Sequence, residues 1–129
     1  MLHWSLLHWA MNALSAGLVA LLGWRAGLGP RAVAAWMLAW PLTQLGLLAQ
    51  PALRHYAGLS GVLHAAVAIT GASLLARRGE RRGQAIGALV CAGLLLKIVF
   101  EAPWAGATRE VAGWDFALAP AAHASGALA

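Results

Sequence analysis

Apolar residues occur in four long runs, and polar residues gather in the short stretches between them. The runs cover residues 6–22, 32–53, 57–76 and 83–100, and a fifth begins near residue 117. As an α-helix, each of the four would reach about 26–33 Å, which matches the hydrocarbon layer of a bilayer. The fifth would cover only about 20 Å before the sequence ends. The pattern predicts an all-α polytopic transmembrane helical bundle: four full spans and the start of a fifth, in a single domain over residues 1–129.

Composition supports a membrane protein and argues against a soluble one. Hydrophobic residues make up 61% of the 129 residues and charged residues 10%, against about 45–50% and about 25% in soluble domains. A chain this short cannot bury so much apolar surface in one aqueous core. The net charge is +5, but the basic residues lie in gaps between apolar runs rather than in a stripe with exposed aromatics. We therefore expect the lipid bilayer as a partner and no nucleic acid.

The distribution of arginine predicts the orientation in the membrane. Arg54 and Arg109 lie in the loops on one side by parity. Six others lie in the two loops on the opposite side: Arg25, Arg31, Arg77, Arg78, Arg81 and Arg82. Because cytoplasmic loops are enriched in basic residues, the first, third and fifth runs should begin at the extracytoplasmic face. The excess of Arg over Lys, with abundant Ala, Gly and Leu, favours a bacterial inner membrane protein.

Polar residues cluster near the start of these three runs. His8 and Asn12 are four residues apart and would share one helix face. Ser60 stands between Gly58 and Gly61, and His123 lies near the start of the fifth run. Polar groups inside a membrane are costly and usually face the bundle interior or a water-filled cavity. Their common depth therefore predicts one pocket near the extracytoplasmic face.

Such a pocket could perform acyl transfer. A serine becomes a nucleophile when a nearby histidine accepts its proton, which makes Ser60 the candidate nucleophile and His123 the candidate base. Gly58 would allow a tight entry into the helix, so that Ser60 lies in its first turn, where N–H groups favour an anion. Gly61 and Gly126 would let the third and fifth helices approach closely.

Asn12 and His8 are candidate donors to a developing oxyanion. Two alternatives stay open, since Asn12 could instead link helices and His8 could be an interfacial histidine. His64 lies one turn beyond Ser60 and could also be the base. A residue on the nucleophile's own helix is poorly aimed at its hydroxyl, so we expect His64 to pack against His123. Lys97 and Glu101, four residues apart at the outer end of the fourth helix, should either pair with each other or extend their charged ends to the membrane surface.

These motifs together resemble a known family. The pattern His8-x-x-x-Asn12, then Gly58-x-Ser60-Gly61, then His123-x-x-Gly126 is similar to rhomboid intramembrane serine proteases. Residues 56–64, 96–101 and 123–128 resemble the rhombosortase branch in order and spacing.

The resemblance implies a six-helix core and a Ser–His dyad with no third acidic member, no metal and no organic cofactor. Ser60 would be the nucleophile and His123 the base, with His8, Asn12 and Gly58 at the oxyanion side. The implied substrate is a transmembrane protein with a C-terminal sorting tail that carries a Gly-Gly motif.

Two alternatives remain at this stage. The family's first helix and the end of its last helix lie outside this sequence, so the chain could be a catalytically inactive rhomboid-like protein that binds transmembrane helices. A protein of a different class is the second alternative: His8, His64 and His123 lie on predicted helices, and two of these imidazoles could ligate a haem. The haem alternative leaves Asn12 and the glycines around Ser60 unexplained.

Overall fold

The part of the chain that the structure describes forms five α-helices. The structure is a computed structural model that describes residues 5–51, 53 and 58–129. The helices are α1 (Leu6–Arg25), α2 (Pro30–Gly46), α3 (Ser60–Leu75), α4 (Arg81–Glu101) and α5 (Pro120–Leu128). Across the described ranges, β pairing is limited to an isolated antiparallel bridge between Arg109 and Leu118. The all-α prediction is confirmed; Arg54 and residues 52, 56 and 57 of the stretches discussed above lie outside the described residues.

Local sequence determines where several helices begin and end. The Ser5 hydroxyl accepts a hydrogen bond from the His8 backbone N–H at 3.0 Å and caps α1. Pro30 and Pro120 stand at the first positions of α2 and α5, where a missing N–H costs nothing. The end of α4 is marked by Ala102, which has a positive φ of 49°.

Among the described residues, three helices are long and apolar enough to cross a membrane, whereas the sequence predicts four full spans. They are Leu6–Arg25, Arg81–Glu101 and the stretch Pro30–Ala49, in which α2 continues into a short 3-10 turn. The α-helix in the second run stops at Gly46 rather than near residue 53, because the backbone tightens into that turn. The third run forms a helix of 16 residues, about 24 Å long. A fourth full span stays a prediction.

Helix α3 lies at the centre of the bundle and contacts the other four α-helices. Much of it is buried, including Val62, Ala66 and Leu74. In contrast, α1, α2 and α4 turn large apolar side chains outwards, such as Leu18 and Leu89. Exposed apolar surface of this kind suits lipid, which is as apolar as these side chains. The bundle thus places the helix that carries Ser60 where all the others can reach it.

Glycines allow the helices around α3 to touch at their backbones. A Cβ added at Gly61 would lie 2.7 Å from the Ala122 carbonyl oxygen on α5. A Cβ at Gly87 of α4 would lie 2.8 Å from the Gly71 carbonyl oxygen on α3. Since real Cβ contacts are longer than this, both crossings require glycine. The predicted small-residue contact between the third and fifth helices, which includes Gly126, is therefore present.

Candidate functional site

A cavity of about 780 Å³ opens at the end of the bundle where α1, α3 and α5 begin and α4 ends. Four helices and two loops contribute to its wall. The predicted polar residues from three separate runs all line it, together with two charged residues from α4: His8, Asn12, Ser60, His64, Lys97, Glu101 and His123. The predicted convergence on one pocket is thus present in the fold.

Ser60 is the first residue of α3, as the glycine bracket predicts. The chain enters the helix through Gly58, whose φ of +133° lies in a region that favours glycine. A Cβ at Gly58 would lie 2.8 Å from His8 Nε2, so the loop also needs a residue without a side chain for steric reasons. At a helix start the first N–H groups have no partner within the helix. The Ser60 hydroxyl is consequently held next to a patch of positive backbone dipole.

His123 is buried, with 3% of its surface exposed, and its ring stacks on His64. The two ring centroids are 4.2 Å apart and the planes differ by 9°. His64 Nδ1 donates to the Ser60 carbonyl oxygen at 2.6 Å. A nitrogen that donates to a carbonyl has no lone pair to accept a proton. This contact supports the packing interpretation of His64 over the use of its Nδ1 as a base. Because His123 stacks on His64, the contact also connects the His123 ring to the first turn of α3.

His8 and Asn12 are the buried residues of α1 and both face the cavity. The His8 ring stacks on Phe116 from the loop before α5, with centroids 4.4 Å apart. The Asn12 side-chain amide donates to the His8 carbonyl oxygen at 3.0 Å. An amide nitrogen carries two protons, so this bond occupies one of them and leaves the oxyanion role of Asn12 chemically possible.

Glu101 makes a contact that the sequence did not predict. Its Oε1 lies 2.5 Å from Lys97 Nζ, which confirms the predicted ion pair. Its Oε2 accepts a hydrogen bond from His123 Nδ1 at 2.7 Å. The geometry therefore offers His123 an acidic partner that the resemblance did not imply, and the dyad stays a prediction. The spacing of Lys97 and Glu101 suggested a self-contained pair on one helix, and only the packing of α4 against α5 reveals the second contact.

A metal ion is a further possibility for three of these residues. One nitrogen each of His64 and His123 and an oxygen of Glu101 lie within 4.8 Å of one another. The lone pair of an imidazole nitrogen lies in the plane of its ring, however, and the two rings are stacked almost parallel. Their lone pairs cannot converge on one ion without rotation of a ring. The arrangement suits stacking and charge contacts better than metal ligation.

No family model, curated protein or solved structure matches this chain.

Proposed function

We propose that this protein is an intramembrane serine protease of the rhomboid type, in which Ser60 is the nucleophile and His123 the general base. One observation carries the proposal. Ser60 and His123 line a single cavity, and their helices touch at Gly61, one residue after Ser60, and at Gly126, three residues after His123. This placement supports the proposal, because a serine becomes a nucleophile when a histidine lies within hydrogen-bond reach of its hydroxyl.

The proposed reaction begins with attack of the Ser60 hydroxyl oxygen on a peptide carbonyl carbon as its proton passes to His123. Asn12, His8 and the Ser60 backbone N–H stabilise the negative oxygen of the tetrahedral intermediate. When the C–N bond breaks, His123 returns the proton to the leaving amine. Water then attacks the acyl-enzyme, and Ser60 regains its proton through His123. No metal or organic cofactor enters this scheme.

The membrane setting of the proposal follows from the two ends of the bundle. Arginine-rich loops lie at the end opposite the cavity, and such loops are usually cytoplasmic. The cavity would then face the periplasm of a bacterial inner membrane. A substrate held by its own transmembrane helix would present a peptide bond at this depth. The resemblance to rhombosortases suggests C-terminal Gly-Gly sorting tails of exported proteins as that substrate.

Labelling with a fluorophosphonate tests the nucleophile. The 129-residue protein in detergent should react at Ser60, and Ser60→Ala and His123→Ala should each lower the labelling rate at least about 1,000-fold. Ser15→Ala is the matched control, because Ser15 lines the same cavity and should keep the wild-type rate. Equal labelling of the wild type and Ser60→Ala would disprove the assignment.

The same assay tests the oxyanion role of Asn12. Loss of one oxyanion donor typically lowers turnover about 10²–10³-fold, so Asn12→Ala should lower the rate of labelling by roughly 100-fold while the unfolding temperature changes little. A rate equal to that of Ser15→Ala would instead indicate that Asn12 serves only its bond to the His8 carbonyl.

The two alternative functions make different predictions. An inactive helix-binding relative would leave even the wild type unlabelled. A haem protein would show a Soret band that Ser60→Ala does not change. Haem ligation by two histidines needs the imidazoles end-on at opposite sides of the iron, and His64 and His123 are instead stacked face to face. This stacking favours the protease over haem ligation by that pair.

A further inference from the structure

We infer that Glu101, anchored by Lys97, positions His123 as the general base, so that the site works with three residues rather than two. The inference rests on the proposed function and concerns how its base is held. The observation behind it is a chain of two short contacts: Lys97 Nζ to Glu101 Oε1 at 2.5 Å, and Glu101 Oε2 to His123 Nδ1 at 2.7 Å.

The contact with Glu101 determines which nitrogen of His123 can accept a proton. An ionised carboxylate only accepts hydrogen bonds, so His123 Nδ1 must carry the proton that it donates to Glu101. The other nitrogen, Nε2, then keeps its lone pair. A neutral imidazole in this tautomer is the form that can take the proton of Ser60. Without the carboxylate, the ring could adopt the other tautomer.

Glu101 also supplies charge when the base is used. The imidazole becomes positive once it takes the serine proton, and the carboxylate oxygen is 2.7 Å from its Nδ1. Both side chains are largely shielded from solvent, with 4% of the His123 side chain and 13% of the Glu101 side chain exposed. Charge interactions are stronger in such surroundings than in water. Glu101 therefore stabilises the ion pair that forms in the first chemical step.

The ring of His123 is held by two contacts of different kinds. The stack on His64 limits its tilt, whereas the bond to Glu101 limits rotation in the ring plane. Lys97 holds the second oxygen of Glu101 from one turn earlier on α4, which orients the carboxylate towards α5. An ordinary surface ion pair would need only Lys97 and Glu101, and it would not reach a second helix.

Labelling kinetics at saturating fluorophosphonate test this inference, because they separate the rate constant from the fraction of protein that reacts. We expect Glu101→Gln to lower the rate constant about 100-fold, with the final labelled fraction and the unfolding temperature near those of the wild type. Glu101→Asp, which keeps the charge, should recover part of the rate. Lys97→Met should lower it only a few-fold, since the bond from Glu101 to His123 remains.

Glu80→Gln is the matched control. Glu80 also forms an ion pair, with Arg77 at 3.4 Å, but at the opposite end of the bundle, so its variant should label at the wild-type rate. A wild-type rate constant in Glu101→Gln would overturn the inference. So would an unchanged rate constant with a smaller labelled fraction, because that result describes a purely structural role.

Failure of the proposed function gives a different result. An unlabelled wild type, or a Ser60→Ala variant that still reacts, would remove the protease and this inference with it. Loss of labelling in Ser60→Ala together with a wild-type rate constant in Glu101→Gln would overturn only the inference about Glu101 and leave the proposed function in place. If Glu101→Gln does not fold, the rate constants of Glu101→Asp and Lys97→Met test the inference instead. Wild-type rate constants in both variants would overturn the inference.

Discussion

The two ends of the bundle hold their polar side chains in contrasting ways. At the cavity end, His8, Asn12 and His123 are buried and contact aromatic rings, backbone or a carboxylate. At the other end, Arg77 is partly exposed and Glu80 largely so, and their ion pair has a longer distance of 3.4 Å. The difference matters energetically, because burial of a polar group costs free energy unless its partners are in place.

This contrast separates two uses of polar residues in one small membrane protein. The exposed arginines cost little free energy. Their number and the side on which they lie, rather than their contacts, indicate the orientation of a membrane protein. The buried residues are costly in free energy. His8 and His123 contact side chains from a different loop or helix, whereas Asn12 donates to the backbone of its own helix. We therefore expect substitutions at the cavity end to change activity strongly, and those at the arginine end to change it little.

The largest effect in this comparison should come from Gly126→Ala. A Cβ at this position would lie 3.0 Å from the Gly61 Cα and closer still to the Gly61 carbonyl, so α5 would have to move away from α3. A misplacement of about 1 Å can cost roughly 100-fold in rate, and overpacking typically costs about 1–3 kcal/mol of stability. Labelling kinetics and thermal unfolding in detergent measure the two losses.

Gly93→Ala provides the control for that substitution. Gly93 also lies inside a helix, α4, but nothing would lie within 4 Å of its added Cβ. The substitution should leave labelling unchanged and raise stability by roughly 0.5–1 kcal/mol, because glycine is unfavourable in a helix interior. If both variants behaved alike, the close approach of α3 and α5 would not be what sustains the site.

A smaller effect is expected at His64. Removal of the stacked ring in His64→Ala should lower the labelling rate about 10-fold, since aromatic stacking contributes roughly 0.5–1.5 kcal/mol. His64→Phe keeps a flat ring beside His123 but loses the bond to the Ser60 carbonyl, so it should recover most of the rate. Failure of Phe to recover any activity would point to that hydrogen bond, rather than the stack, as the contribution of His64.

The smallest effect is expected at the arginine end. Arg77 donates to the carbonyl oxygens of Ala26 and Gly27 and pairs with Glu80. Because its side chain is partly exposed, Arg77→Gln should lower stability by less than about 1 kcal/mol and leave the labelling rate at the wild-type value. Thermal unfolding at low and high salt measures the change in stability. A large loss of labelling would contradict the functional difference between the two ends.

Much of the candidate site could be predicted from sequence spacing. Helix periodicity relates His8 to Asn12 and Ser60 to His64, because residues four positions apart lie on one helix face. The glycines around Ser60 can be seen in the sequence itself. The bond between Glu101 and His123 could not be predicted in this way. It joins residues 22 positions apart on two helices, and no local pattern distinguishes it from the Lys97–Glu101 pair.

The sequence by itself determined the helical class, the apolar runs and the grouping of polar residues at one end, because composition and periodicity act locally along the chain. Only the tertiary structure decided that α3 is short and central, and that the 3-10 turn ends α2 early. It also decided that a carboxylate from α4 reaches the imidazole on α5. Those features depend on how closely helix backbones approach and which side chains then meet across the interface, and such contacts have no local signal in the sequence.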